Sequence, residues 1–247
     1  MGTRALGDRP WLVADEQRDD QLALKTDLLA TRRDEVLVSI PESGRAAADV
    51  RRLVEREGVA TPVLADDLEA AARSVQEDLC LLRRHDEAWH LDAACVCFPS
   101  RWRLADKIGR PLVDVHGPTP GYAAQLDRKV TSLLDRLGER PVLRRNWFVH
   151  PDPSLFQPVD PADDPVIGAE AVGAGLHLRS DRQTLRRLPC GWVLFTIRVQ
   201  QEPIGAVLAD AARRERFTAY VRGAPPGDLA HRGMAARQVD ELLAALA

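Results

Sequence analysis

Hydrophobic and polar positions follow two different periods along the chain, and the change of period separates helical from sheet-forming regions. Leucines recur at helical spacing between charged residues over 16–33, which predicts a helix there. The same spacing predicts helices over 46–57 and 68–79, and the pair Asp66-Asp67 is expected to cap the second of these. Residues 1–70 are therefore expected to form a helical N-terminal extension.

From about residue 79 onward, short apolar runs bounded by turn residues alternate with short helical patterns. The predicted elements are strands over 79–82 and 89–98 around a polar turn at 85–87, short helices over 104–108 and after Pro111, a helix over 123–137, strands over 142–149 and 176–179, a segment over 182–188, a strand over 192–200, and helices around 204–220 and 234–246.

This order of elements indicates an α+β protein whose antiparallel sheet has flanking and inserted helices. Strands and helices do not alternate regularly, and the sequence has no glycine-rich phosphate loop, which argues against a dinucleotide-binding domain. We expect a single domain over 1–247, with a sheet core over 71–200 and C-terminal helices over 201–247.

Composition and charge narrow the functional classes. The 247 residues are 45% hydrophobic and carry a net charge of −3, so no strongly basic balance points to nucleic acid. No apolar run approaches the roughly 20 residues of a membrane span, and Arg4, Asp8 and Arg9 precede any apolar block. These features predict a cytoplasmic protein without a membrane span. The four cysteines are expected to be thiols, and Cys95 and Cys97 would share one face of a strand.

Several unusual strings stand in a characteristic order. They are Gln76-Glu77-Asp78-Leu79, Cys97-Phe98-Pro99-Ser100-Arg101-Trp102, Asp106-Lys107-Ile108-Gly109, His116 before Pro118-Thr119-Pro120, Arg145-Asn146-Trp147, and Arg179-Ser180-Asp181-Arg182-Gln183-Thr184-Leu185. In order and spacing they resemble the haem-dependent oxidative N-demethylase α-subunit-like proteins. The resemblance extends from Arg9-Pro10-Trp11 to the C-terminal helix.

The resemblance implies a PAS-like sheet that encloses haem b, and a monooxygenase that uses O₂ to oxidise a small amine or related nitrogen substrate. Electrons would come from NAD(P)H through a separate flavin and iron–sulfur reductase, because the sequence has neither a Cys₄ cluster spacing nor a dinucleotide fingerprint. A hetero- or homo-oligomer is compatible with this. The alternatives are a non-catalytic haem PAS gas sensor and a haem-binding interaction subunit.

A haem iron needs an axial donor, and His116 is our first candidate because it ends a short helix before a rigid Gly-Pro segment. A histidine that merely interacts with the helix dipole would look the same. The other candidate ligands are His177, His150 and Cys97. The apolar run around Cys97 favours a thiol over a thiolate, so histidine is preferred.

Arg179, Arg182 and Arg186 are candidate partners of the haem propionates, which arginine binds through forked hydrogen bonds. Arg182 and Arg186 would share a face if their segment is helical. An ordinary cationic surface would have the same pattern.

The substrate contacts are predicted in the same way. Gln76, Glu77 and Asp78 are candidates for binding the amine or polarising oxygen, although they could simply cross-link a helix–strand junction. Tryptophans can hold methylated ammonium ions on their faces, so Trp102, Trp147 and Trp192 are candidate pocket walls, unless they belong to the core. Trp147 is the one we place among the catalytic residues.

Overall fold

The computed structural model describes residues 2–117, 126–159 and 164–246. Its elements, in chain order, are β1 (Arg4–Ala5), α1 (Arg18–Thr31), α2 (Arg33–Val36), β2 (Leu37–Ser39), a 3₁₀ helix (Pro41–Ser43), α3 (Gly44–Arg56), α4 (Asp67–Ala72), β3 (Asp78–His85), β4 (Ala88–Cys95), a 3₁₀ helix (Leu104–Asp106), α5 (Leu112–Val115), α6 (Asp127–Arg136), β5 (Val142–His150), α7 (Val172–Gly175), β6 (His177–Arg187), β7 (Val193–Pro203), α8 (Ile204–Ala209), α9 (Ala211–Gly223), α10 (Pro226–His231) and α11 (Ala236–Ala245).

Seven strands form one sheet in the order β1-β5-β6-β7-β3-β4-β2. The pairs β1–β5, β7–β3, β3–β4 and β4–β2 are antiparallel. The hairpin β3–β4 turns through Asp86 and Glu87, whose φ angles of 47° and 62° match the twist of the two strands. The predicted α+β class with an antiparallel sheet is confirmed.

The chain forms two compact units, and strands β5, β6 and β7 contribute residues to both. The first unit comprises Met1–Arg145, Leu155–Asp160 and Arg182–Arg198, and the second comprises Asn146–Ser154, Pro161–Asp181 and Val199–Ala247. The expected single domain, with boundaries near residues 70 and 200, stays a prediction.

In the first unit the sheet has two chemically different faces. We call the "α5 face" the one that carries Leu82, Leu91, Leu185 and Val193, because these side chains pack in one cluster with Leu112 of α5 and Leu134 of α6. Side chains of a strand alternate between faces, so Leu79, Arg182, Thr184, Thr196 and Arg198 lie on the other side. We call that side the "α1 face", since Arg198 donates to Gln21 of α1 at 2.8 Å.

The second unit has its own apolar core. Val149, Leu176, Ile204, Phe217 and Leu242 are buried together there, and Trp147 packs against them. Helices α7 and α8 approach closely because Gly173 and Gly205 meet: a Cβ on Gly205 would lie 2.9 Å from the Gly173 carbonyl oxygen.

One predicted element is wrong, and one segment whose type was left open is a strand. The helix expected over 68–79 ends at Ala72, and β3 begins at Asp78, because Leu79 pairs with Cys95 and Thr196 in the sheet. The possible helix over 182–188 is instead part of the eleven-residue strand β6. Residues four apart also share a face in a strand, so Arg182 and Arg186 still point to the same side.

The other predicted elements agree with the structure to within a few residues. Asp66 caps α4 by accepting hydrogen bonds from the Leu68 and Glu69 amides, as predicted. The helix predicted over 123–137 starts outside the described residues, which show it as α6 from Asp127. The Pro118-Thr119-Pro120 segment, which we expected to fix His116, also lies outside them.

Candidate functional site

His116 ends the four-residue helix α5 on the α5 face of the first unit. Its Nδ1 lies 2.9 Å from the carbonyl oxygen of Leu112, one turn earlier. A carbonyl can only accept, so Nδ1 donates this hydrogen bond. A metal-binding histidine is oriented in the same way by a hydrogen bond from its other ring nitrogen.

The surroundings of His116 also favour its neutral form. Burial lowers the pKa of His116, and the positive charges of Arg144 and Lys107 act in the same direction. Iron coordinates the neutral imidazole, so the described environment fits a ligand role. Arg144 follows Val142 on the same side of β5, and Val142 packs on the α5 face. Arg144 is therefore a cation near His116 that sequence reasoning did not select.

Gln76 and Glu77 lie on the opposite face, where they hold the N-terminal segment. The Gln76 side chain bonds to Asp15 and Gln21, with its Nε2 donating to each at 3.0 Å. Glu77 Oε1 accepts a hydrogen bond of 2.8 Å from the Val13 amide, and burial raises the pKa of Glu77. These contacts support the predicted cross-linking role.

Asp78 fixes the chain where it leaves β4. Its two carboxylate oxygens accept hydrogen bonds from the Cys97 and Phe98 amides at 2.9 and 3.0 Å. Lys25 lies 3.7 Å from Asp78 Oδ1, and neither side chain is exposed to solvent. The ammonium of Lys25 also donates to the main-chain oxygens of Val75 and Glu77, at 3.0 and 2.5 Å. Sequence reasoning did not select Lys25. Its helical spacing from Gln21, Leu28 and Leu29, which are also buried in α1, is the signal that identifies it.

Arg182 and Arg186 also contact the N-terminal segment. Arg182 donates to the main-chain oxygens of Trp11 and Pro10 at 2.8 and 2.5 Å, and the Arg186 guanidinium lies 5.7 Å from the centre of the Trp11 ring. Burial lowers the pKa of both guanidinium groups. We call residues 9–15, which these side chains and Arg198 hold, the "N-terminal strap".

The structure therefore separates the predicted site residues of the first unit into two groups. His116 belongs to the α5 face, whereas Arg182 and Arg186 belong to the α1 face together with Gln76 and Glu77. A haem bound through His116 on the α5 face would have the sheet between it and these two arginines. The faces could not be assigned from the sequence, because the side of the sheet that α5 covers depends on the fold.

The remaining candidates in the second unit have contacts of their own. Arg179 is buried and donates to Asp181 at 3.1 Å. The Trp147 ring has the Arg232 guanidinium 4.3 Å from its centre and Tyr220 at its edge. His150 is buried, with its ring stacked on Phe148.

His177 differs from these residues. It opens strand β6 and is partly buried, and its Nδ1 is a buried atom with no hydrogen-bond partner among the residues that the structure describes. An open imidazole nitrogen keeps this residue as the second candidate ligand.

Cys97 and the two other tryptophans are built into the first unit. Cys97 is fully buried, and its Sγ lies 3.9 Å from Cys95 Sγ, as expected for neighbours on one face. Trp102 packs against the α5-face core, and the Trp192 ring has the Arg83 guanidinium 5.4 Å from its centre. Trp102 and Trp192 thus have structural contacts in the described part of the unit.

A cavity of about 490 Å³ lies beside α5 and α6 in the first unit. Leu112 and Val113 line it, one turn before His116, and Trp89 forms part of its wall. Its charged lining carries both signs, from Glu87, Asp127, Arg128, Asp135 and Arg136. Three of these side chains are carboxylates and two are guanidinium groups, so the lining carries one more negative than positive charge.

Fold and site together define a class of protein: an antiparallel α+β chain with a partly buried, oriented histidine at the end of an inserted helix. A family model described as "haem-dependent oxidative N-demethylase, alpha subunit-like" matches residues 55–238. The chain belongs to this family. The family name implies a haem-dependent oxidative enzyme that works with other subunits, and it supports the resemblance seen in the sequence.

The family match begins at residue 55, later than the Arg9-Pro10-Trp11 string from which we had traced the resemblance. It excludes α1 and the N-terminal strap and includes His116. No curated protein matches the chain. In the described ranges no helix is long and apolar enough to cross a membrane, and no group of three or more His, Cys, Asp or Glu side chains could hold a metal ion.

Proposed function

We propose that this chain is a haem-dependent oxidoreductase that oxidises a small amine or a related nitrogen compound, with haem b bound through His116. The hydrogen bond of 2.9 Å between His116 Nδ1 and the Leu112 carbonyl carries the proposal. It fixes the orientation of the ring, as a hydrogen bond on one ring nitrogen does for a metal-binding histidine. Membership of a family named for its haem dependence gives the reason to look for such a donor.

The order of the strands supports the PAS-like part of the proposal. Strands β3 to β7, counted as first to fifth, lie in the order second-first-fifth-fourth-third, and α5 and α6 are inserted between the second and third. We propose on this basis that the sheet is PAS-like. The inserted helices cover the α5 face, so the face that carries His116 is also the one that they would close over a ligand.

The cations near His116 suit the propionates of a haem on the same face. Arg144 and Lys107 are both close enough to influence the charge of His116. Arginine binds carboxylates through two parallel hydrogen bonds, so we propose Arg144 as the propionate partner. Arg182 and Arg186 could serve only an anion on the α1 face. Arg179 stays a prediction.

A bound haem would supply oxygen activation, and electrons would come from NAD(P)H through a separate flavin and iron–sulfur reductase. The protein's own contribution would be to hold the ligand histidine neutral and to exclude water from its surroundings. Gln76, Glu77, Asp78 and Trp147 are left out of the proposed substrate contacts. Their polar atoms or ring faces are already engaged by neighbouring residues.

The test is the visible spectrum and pyridine haemochrome content of protein from haem-supplemented cells. We expect near-stoichiometric haem in the wild type and loss or a shift of the Soret band in His116→Ala. The matched control is His231→Ala, which removes an exposed histidine and should leave the spectrum unchanged. Haem-free wild type would overturn the proposal, whereas an unchanged His116→Ala spectrum would transfer the ligand role to His177, His150 or Cys97.

The oxidase and sensor functions differ in their response to amines. An amine that shifts the Soret band and stimulates O₂ consumption after addition of a reductase would support the enzyme. Binding of O₂, NO or CO without any effect of amines would instead favour a gas sensor.

A further inference from the structure

The helix that carries His116 is too short to hold the histidine by itself. Helix α5 has four residues, Leu112–Val115, and isolated helices of this length are unstable in water. The orientation of His116 must therefore come from contacts made by the rest of the first unit. The main-chain oxygens at the end of α5 are the groups through which such contacts can act.

Lys107 makes one of these contacts. Its Nζ donates a hydrogen bond of 2.5 Å to the carbonyl oxygen of Val115, the residue directly before His116. A cation at the C-terminal end of a helix is also favourable for the helix dipole. Lys107 therefore holds the end of α5 at the peptide bond from which His116 projects.

The segment that carries Lys107 is itself anchored to the sheet. The Gly109 amide donates to the Leu91 carbonyl at 2.7 Å, and the Leu91 amide donates to the Arg110 carbonyl at 3.2 Å. Gly109 has a φ of +73°, a conformation that glycine adopts without strain. Strand β4 thus fixes residues 109–110, and Lys107 transmits this fixed position to α5.

A second lysine makes the same kind of contact. The chain has three lysines and 31 arginines. Lys25 donates to the main-chain oxygens of Ala72 and Val75 at the end of α4, just as Lys107 donates to Val115 at the end of α5. Most arginines that pair with carboxylates do so at or near the surface, for example Arg33 with Glu69. Lysine offers a single compact donor on a flexible stem, which suits a main-chain carbonyl.

We propose that Lys107 is the positioning residue of the haem ligand: it pins the end of α5 to the β4-anchored segment and so fixes the angle of the His116 ring. The inference rests on the proposed function, because it takes His116 as the ligand. Hydrogen-bond partners that orient a metal ligand typically change metal affinity 10- to 100-fold when removed. Lys107 acts through the backbone of its neighbour and does not touch the iron.

The test compares Lys107→Met, Lys107→Arg and Lys129→Met with the wild type. Lys129 is an exposed lysine of α6, so Lys129→Met loses the same charge without the carbonyl contact. We expect Lys107→Met to speed haem loss to apomyoglobin about 10-fold or more and to shift the ferrous iron–histidine stretching frequency. Lys107→Arg keeps a donor and should restore part of both values, and Lys129→Met should match the wild type.

A second readout does not depend on haem. Hydrogen exchange of the Val115, His116 and Gly117 amides in the haem-free protein should be faster in Lys107→Met than in Lys129→Met, because these amides bond within the pinned turn. Equal exchange and equal haem loss in the two methionine variants would overturn the proposal. If the wild type binds no haem, or if His116→Ala keeps an unchanged spectrum, the proposed function or its ligand fails, while the exchange rates still decide whether Lys107 pins α5.

Discussion

The two faces of the sheet in the first unit are built from opposite kinds of chemistry. The α1 face buries charged and polar side chains, among them Lys25, Asp78 and Arg198, which are all fully inaccessible to solvent. The α5 face buries leucines and valines, and His116 stands at its margin. The residues of the family motifs are thus divided between a face whose buried polar groups hold the chain together and an apolar face that carries the candidate haem ligand.

The division between the two faces distinguishes unusual residues that stabilise the fold from those that could bind a ligand. On the α1 face the Lys25, Glu77, Asp78 and Arg182 side chains bond to main-chain atoms of the strap or of chain bends. A ligand there would have to displace them. On the α5 face the His116 ring is oriented by its hydrogen bond to the Leu112 carbonyl oxygen. Substitutions on the two faces should therefore differ in their effects on stability and on haem binding.

The largest effect is expected for Lys25→Met. Removing the Lys25 ammonium leaves the Asp78 carboxylate buried without this cation. Breaking a buried ion pair in this way lowers the free energy of unfolding by about 3–5 kcal/mol. The free energy of unfolding from urea titration measures the loss. Lys25→Met/Asp78→Asn should recover part of it, because the uncompensated charge is gone. If the single substitution costs less than about 1 kcal/mol, the α1 face does not depend on its ions.

A cavity introduced into the α5-face core should lower the free energy of unfolding somewhat less than Lys25→Met does. No change of charge should restore this loss. Leu134 of α6 is fully buried in the α5-face core, and Leu134→Ala is expected to lose about 2–5 kcal/mol. The same urea titration measures it. We also expect faster haem loss, since α6 covers the face that carries His116. An unchanged haem affinity at reduced stability would mean that α6 does not take part in covering the ligand.

The titration of Glu77 provides a finer test of the α1 face. Burial raises the pKa of Glu77 above its ordinary value of 4.5, so the folded protein binds this proton more tightly than the unfolded chain does. Ionisation of Glu77 therefore lowers the free energy of unfolding as the pH rises from about 4.5 through the raised pKa. Glu77→Gln removes this dependence and keeps an oxygen for the Val13 amide.

The stability of Glu77→Gln relative to the wild type should accordingly increase with pH across that window. Denaturant unfolding from pH 4 to 8 would show it. A difference that stays flat, or that falls with rising pH, would show that nearby cations such as Arg198 outweigh the effect of burial.

Features that depend on local residue spacing could be predicted from the sequence, whereas features that depend on contacts between distant residues could not. Helices and strands were predictable because their apolar spacing is local, and the α+β class followed from their order. The helix over 68–79 was predicted too long, since only the pairing of Leu79 with two other strands decides that it belongs to the sheet. Lys25 could have been found from its place in the buried stripe of Gln21, Leu28 and Leu29.

The candidate site was less accessible from the sequence. His116 was selected from its place at a helix end, but the hydrogen bond to Leu112 that orients it depends on the folded turn. Arg182 and Arg186 were correctly placed on a common side, although for the wrong reason. Whether they lie on the same face as His116 depends on long-range strand pairing, which no local pattern contains.

The smallest expected effect tests whether the α1 face is held by its helix or by its ions. Asp66 caps α4 with two hydrogen bonds, at 2.9 and 3.1 Å, and Asp66→Ala should cost about 1 kcal/mol. The exposed Asp20 in α1 provides the control, and Asp20→Ala should stay within about 0.5 kcal/mol of the wild type. Because Lys25 fixes the other end of α4, we expect the amide protection of residues 76–78 to be kept in Asp66→Ala. Loss of that protection would mean that the start of α4, and not the buried ions, organises this face.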